Sequence, residues 1–437
     1  MFKTLGSAFK NRELRKGMLI TLLLLLVYRL GCFLPTPGLS ADFYSEISAN
    51  DKTGLLGLLN TVTGSALSNG AFFALGVTPY INASIIVQLL TVAIPALERL
   101  SKEGGEGRKK LNKITKYAAL AIAVFQAWAY YLTLKKAGAV RYTEGFDKVF
   151  SEIVIIFCFA AGASLVVWLG DQINESGIGN GISMILFAGI IARVPSEIIG
   201  LIGGAIDKGT VGAFVLVGCI GILFLAMIAF IIYMNNAERR IPVQYAKRVV
   251  GRKMYGGQST HIPIKVNMSG VLPVIFASSI LSLPPTIEMF LDEDKITGTF
   301  WETFFGWFST SHWVYSIIYF FLILFFAYFY ASIQYNPVEM ANNIRKNSGM
   351  IPGLRPGKPT ADYIKKILGR ITLLGALMLS VVALFPNLLT MFTKLIGWEI
   401  EISLGGTSLI IVVGVALETV KQLESQMMMR HYKGFLD

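Results

Sequence analysis

The chain has 437 residues, 54% of them hydrophobic and 15% charged, with a mean hydropathy of +0.60 and a formal net charge of +12. That composition is well above what an ordinary soluble domain of this length carries in apolar residues. It leaves a protein embedded in lipid, with its positive charge gathered outside the apolar parts.

In chain order the apolar stretches are 18–34, 72–97, 115–134, 149–169, 180–203, 212–234, 270–290, 313–334, 371–392 and 405–421. A spanning helix needs about 20 mostly apolar residues. These stretches are continuously apolar rather than alternating, which selects helices over a barrel. The expected fold class is all-α and polytopic. Lys10, Arg12, Arg15 and Lys16 ahead of Leu22 to Leu26 have the look of a signal peptide. The apolar run nevertheless continues to Leu34 and meets Pro35 and Pro37, so a retained first helix is expected. Cys32, Cys158 and Cys219 sit singly in apolar runs and read as small buried hydrophobes.

Between the first two spans, residues 54–70 are too polar to cross and too apolar for an exposed loop. Leu55, Leu56, Leu58, Leu59, Gly64 and Leu67 mark it as a half-helix folded back into protein. In the second span Ile81, Ile85 and Gln88 fall within about 60° of one another on a helix. Such a face suits a pore or a packed helix interface, and periodicity alone favours the packed face.

Lys and Arg crowd the N-terminus and the loops after spans two, six and eight, while the first, seventh and ninth loops are poor in them. The third loop departs from the pattern with Lys135, Lys136, Arg141 and Lys148. The positive-inside rule puts both termini in the cytoplasm. The loop after span six carries Arg239, Arg240, Lys247, Arg248, Arg252, Lys253 and Lys265. Ile241, Val243 and Tyr245 alternate there with polar or small residues, which predicts a protruding β-hairpin. In the loop after span eight, Ser348 to Gly357 is too rich in Pro and Gly for a helix. Thr360 is expected to cap a short helix bearing Tyr363, Lys365 and Lys366. Arg355 and Lys358 sit where a stiff loop presents charge to a carboxylate or phosphate.

The spans hold few ionisable residues. Arg29 and Arg193 are expected to snorkel from span ends, and Glu288 lies near the outer end of span seven. No catalytic set is visible, and no cofactor or metal is implied. His261, His312 and His431 lie outside the spans. Gly104 to Lys109 lacks the spacing of a phosphate loop. A solute transporter would need charged groups at the midplane; a scaffold without a pore would leave residues 54–70 unexplained.

Several long motifs resemble one family. These are Gly70 to Leu90, Gly177 to Ser183, Gln258 to Asn267, Pro352 to Gly357 and Gly405 to Ile411. They occur in the order found in the SecY/Sec61-alpha family of protein-translocation channels. The resemblance implies ten spans in two pseudo-symmetric halves, residues 1–203 and 204–437, around a central pore, with cytoplasmic loops at 235–268 and 336–369. It implies that residues 55–69 are a plug. It implies a constriction of Ile81, Ile85, Ile182, Leu186, Ile275 and Ile411. It implies a lateral gate between spans two and three and spans seven and eight, where Ser84, Gln88, Thr91, Ser278, Ser279 and Ser282 are expected to bond across helices. The partners implied are SecE and SecG, the SecA motor, the ribosome, signal sequences, nascent chains and membrane lipids. The basic loops named above are the expected docking surface for SecA or the ribosome, in a bacterial cell membrane.

Overall fold

The computed structural model describes residues 9, 11–39, 66, 69–136, 138–142, 145–209, 211–245, 248–250, 253–255, 259–268, 270–288, 300–308, 312–395 and 405–433. The helices are α1 (Arg12–Gly31), α2 (Thr78–Ala93), α3 (Pro95–Lys102), α4 (Gly105–Lys136), α5 (Gly145–Ser176), α6 (Gly181–Lys208) and α7 (Val211–Asn236). There follow α8 (Leu272–Leu281), α9 (Leu283–Glu288), α10 (Phe300–Gly306), α11 (Trp313–Gln334), α12 (Pro337–Lys346), α13 (Lys358–Leu395) and α14 (Gly406–Lys433). Five short strands, β1 (Glu238–Tyr245), β2 (Arg248–Val250), β3 (Lys253–Tyr255), β4 (Ser259–Lys265) and β5 (Gly349–Met350), lie in the loops after α7 and α12.

Among the described residues seven helices are long and apolar enough to cross a membrane, or eight if the bent pair α2–α3 is one span. Two further expected spans fall short for local reasons. Helix α1 spends its first turns on Arg12, Glu13, Arg15 and Lys16. Span seven is divided at Ser282, between α8 and α9, where Pro284 and Pro285 follow. The second span, expected over 72–97, is shorter: its helix begins at Thr78 and turns by 103° after Ala93. Pro95 is the cause, since proline disfavours helical geometry in the residue before it and Ile94 is extended at φ −108°, ψ 113°.

Helices α1, α2, α4, α5 and α6 pack among themselves, as do α7, α8, α11, α13 and α14. The two groups meet where α6 touches α14 and α7, and where α2 touches α8. Helix α6 runs past residue 203 to Lys208 and is closed by Gly209, whose left-handed φ of 59° suits glycine.

The hairpin is present. Strand β1 pairs antiparallel with β4, from Glu238 opposite Lys265 to Gln244 opposite Ser259, and β2 pairs with β3 beyond them. The loop after α12 adds a third strand, because β5 pairs with β1 through Gln244 opposite Met350. Ile241, Val243 and Ile264 bury their side chains against Ala341, Ile344, Ile351, Ile364 and Leu368. The two basic loops therefore share one small core.

Three expectations need correction. Thr360 caps no short helix: α13 starts at Lys358 and continues for 38 residues through span nine. The Thr360 hydroxyl instead donates to the Arg355 carbonyl at 2.8 Å, fixing the turn before the helix. Of the cysteines only Cys32 is buried, while Cys219 is exposed on α7, where lipid would be an apolar surrounding too. Arg193 does not snorkel; its guanidinium meets the Glu197 carboxylate at 3.0 Å, with both side chains largely buried. Arg29 does lie at a helix end, its guanidinium 4.8 Å from the centre of the Phe33 ring.

Candidate functional site

The motif Gly177 to Ser183 forms the turn between α5 and α6. Thr21 of α1 accepts the amide hydrogen of Ile178 at 2.9 Å, and Asn174 accepts that of Gly181 at 2.8 Å. Asn180 caps α6. A Cβ on Gly181 would come within 1.8 Å of the Gly170 carbonyl oxygen. The glycine pair thus lets α6 cross α5 in near backbone contact, which brings Ile182 one residue later into the interior. A second close crossing occurs at α14, where a Cβ on Gly406 would lie 2.0 Å from the Val382 carbonyl oxygen. That approach seats Ile411 just over one turn further along.

The result is convergence. Leu186 and Ile411 are buried in one apolar cluster, and Ile81, Ile182 and Ile275 pack against it. These five side chains come from α2, α6, α8 and α14. Ile85 belongs to the adjoining cluster with Val274, Phe276, Ala277 and Leu281, and Ile81 touches both. Ala66 is fully buried in the same cluster as Leu186 and Ile411, and its carbonyl accepts from the Ala71 amide at 3.0 Å. Leu55, Leu56, Leu58, Leu59, Gly64 and Leu67 lie outside the described residues.

Around this cluster α2 rests against α8 through Ile81, Ile85 and Leu89. Of the polar residues expected to bond across that seam, Ser84, Gln88, Thr91 and Ser278 have side-chain bonds within their own helices. Gln88 donates to the Ser84 hydroxyl at 3.2 Å and Thr91 to the Gln88 carbonyl at 2.6 Å. Ser278 donates to the Ile275 carbonyl, and Ser282 to the Ser279 carbonyl. A carbonyl three residues back is always within reach of a helical Ser or Thr, so the local bond wins over a distant partner. The contact of α2 with α8 is carried by the apolar side chains Ile81, Ile85 and Leu89.

On the loops after α7 and α12, Arg239, Arg240, Lys265, Arg355 and Lys358 are exposed. Arg240 is paired with Glu238 at 2.7 Å. In the backbone register of the β2–β3 pair Arg248 lies opposite Tyr255 and Lys253 opposite Val250, while Lys247 and Arg252 lie outside the described residues. At the end of α3 the Lys102 ammonium bonds Glu98 at 2.6 Å and holds its carboxyl below the usual range. Among the described residues no group of His, Cys, Asp and Glu could hold a metal ion.

Sequence reasoning missed one feature of this interior, the Arg193–Glu197 pair of α6. Its signal was present as an Arg and a Glu four residues apart.

The SecY family model matches residues 71–420. A protein translocase subunit SecY from Mycobacterium bovis is 42% identical, over 100% of both chains. A solved SecY structure, described for a plug domain that stabilises the closed state and maintains a membrane seal, is 17% identical. Its TM-score is 0.62 over 94% of this chain and 92% of that one. Sec61 in a canine ribosome-channel complex from the endoplasmic reticulum is 15% identical, with a TM-score of 0.54 over 94% of this chain and 92% of that one. The last two likenesses show the fold. The family match over most of the sequence and the full-length relative show that this chain belongs to the SecY family of protein translocase subunits.

Proposed function

We propose that the chain is the pore-forming subunit of a bacterial Sec translocase, passing unfolded preproteins across the cell membrane and releasing apolar segments sideways into lipid. The observation that carries this reading is the convergence of Ile81, Ile182, Leu186, Ile275 and Ile411 on one apolar cluster. With Ile85 they form the constriction of a closed channel. An apolar ring excludes ions by dewetting and offers an extended polypeptide no charge to bind. Ala66, in the same cluster, supports residues 55–69 as the plug, as does the plug described for the solved SecY relative.

Lateral release is a partition between two solvents. Each Leu, Ile, Phe or Val gains a few tenths of a kcal/mol in the bilayer, whereas a central charge costs about 2.5–3.5 kcal/mol. A segment of about 20 apolar residues leaves sideways through the seam of α2 and α8, and a polar one passes through. The apolar character of the seam suits this: parting it breaks no interhelical hydrogen bonds among Ser84, Gln88, Thr91 and Ser278.

The two halves, expected to divide at residue 203, hinge further on, at the turn around Gly209, because α6 continues to Lys208. Both termini are cytoplasmic by the charge of the loops. The joint sheet of β4, β1 and β5 presents Arg239, Arg240, Lys265, Arg355 and Lys358 as a docking surface for SecA and the ribosome, with SecE and SecG as companion subunits. The ribosome-bound Sec61 neighbour supports the ribosome as a partner.

The test is reconstitution with SecE and SecG in liposomes, followed by SecA- and ATP-driven entry of a signal-bearing precursor into protease protection. Protection is expected, and Arg355→Glu abolishes it while leaving assembly with the companion subunits intact. An assembled complex that protects no precursor refutes the channel, and normal import by Arg355→Glu refutes the docking role.

A further inference from the structure

We propose that Arg193 and Glu197 are a charge filter on the exit side of the pore, which sets ion selectivity once the apolar seal is open. The inference rests on the pore reading above and adds to it a role for the one ion pair on the pore-facing stripe of α6.

The stripe is defined by Ile182 and Leu186, which meet the other constriction residues. At 100° per residue Arg193 lies about 20° to one side of Leu186 and Glu197 about 20° to the other. Arg193 continues the same face about 10 Å beyond it, and Glu197, across Pro195 of the same helix, is held beside it by the 3.0 Å ion pair. Burial agrees with the angles. The side chains of Arg193 and Glu197 are only 16% and 15% exposed, while Ile191, Ile198, Ile199 and Ile202 on the opposite face are exposed. In its second half helix α6 therefore turns Ile191, Ile198, Ile199 and Ile202 outward to lipid and its two charges inward.

The direction is also fixed. Helix α6 starts at the turn holding Ile178, which packs on Leu14 beside the basic N-terminus and on Leu423. Arg193 and Glu197 lie past the constriction, away from that end. An ion pair withdrawn from water gains little over an apolar pair of the same volume, and ionisable residues inside membrane proteins mark the paths of ions and substrates. Arginine keeps its charge at any working pH. An ion crossing from the constriction meets Arg193 one turn before Glu197. A fixed arginine charge at that point raises the barrier for cations and protons and lowers it for anions. Glu197 limits that field and holds the guanidinium in place.

The experiment uses the whole complex in planar bilayers, with the seal opened by Ile411→Asn, and reads the reversal potential in a KCl gradient. The opened channel is expected to favour chloride. Adding Arg193→Gln should lower the chloride-to-potassium permeability ratio about five-fold, the effect of one unit charge on an ion about 10 Å away in a wet pore. Glu197→Gln should raise the ratio, and Arg193→Lys should preserve it. Opposite shifts from the two neutral variants support the filter. Equal ratios in all variants, or shifts of the same sign, overturn it, since a purely structural pair would move both together. If neither Ile411→Asn nor Ile275→Asn passes current, the apolar cluster is not the seal on which the inference rests, and the inference falls. Precursor import by the unsubstituted complex in the same preparation then decides separately whether the channel reading stands.

Discussion

The carbonyl oxygen of Phe72 lies so close to Gly162 that a Cβ built there would come within 1.9 Å of it. The segment leading into α2 is thereby pressed directly on the backbone of α5. Gly162→Ala is expected to destabilise the protein by about 1–3 kcal/mol, the usual penalty of overpacking. Gly200→Ala, where nothing lies within 4 Å, should be neutral or slightly stabilising, since alanine orders a helix more readily. Thermal unfolding of the two variants in detergent checks the contrast.

Thr21 joins α1 to the turn before α6, accepting from Ile178 and donating to the Gly17 carbonyl at 3.0 Å. Thr21→Val keeps the shape and strands a buried amide. The expected cost is about 1–3 kcal/mol. Hydrogen exchange should accelerate at Ile178 and leave α11 unchanged.

Ile275 contributes to the cluster from α8, on the side of the seam opposite Ile81. Ile275→Asn puts an amide into an apolar constriction. Ion leak should rise, and precursors with defective signals should be exported more readily. Unchanged conductance together with unchanged signal stringency would remove Ile275 from the seal.

Tyr319 of α11 and Thr407 of α14 share a hydrogen bond of 2.9 Å between their hydroxyls. Tyr319→Phe should cost about 1 kcal/mol, a typical net value for one such bond. The double variant with Thr407→Val should cost less than the sum of the single changes, which a double-mutant cycle on unfolding midpoints measures.

How much of this was legible in the sequence depended on range. Span eight was read as 313–334 and is Trp313–Gln334, because an unbroken apolar run carries its own boundaries. The alternation of Ile241, Val243 and Tyr245 announced β1 for the same reason. The bend after Ala93 was signalled by Pro95, yet hydropathy ran straight through it. The pairing of β5 with β1 had no local signal at all: Gly349 and Met350 become a strand only because Gln244 and Tyr245 are beside them. The interior convergence is carried by long motifs, whereas the Arg193–Glu197 pair shows only when two residues a helical turn apart are taken together.

Helix α13 begins three residues after Arg355 and carries a proline only near its far end, at Pro386. From Lys358 to Phe385 it is a proline-free rod of about 42 Å at 1.5 Å per residue, longer than the hydrocarbon layer it crosses. Its near end is clamped to the shared sheet through Ile364 and Leu368, and Val382, near the other end of the rod, bears on α14 at Gly406. Tilting such a rod by about 5° about Val382 would swing Lys358 by about 3 Å. Torque applied by a docked motor or ribosome thus has a stiff tiller to act on, with its fulcrum next to the helix that carries Ile411.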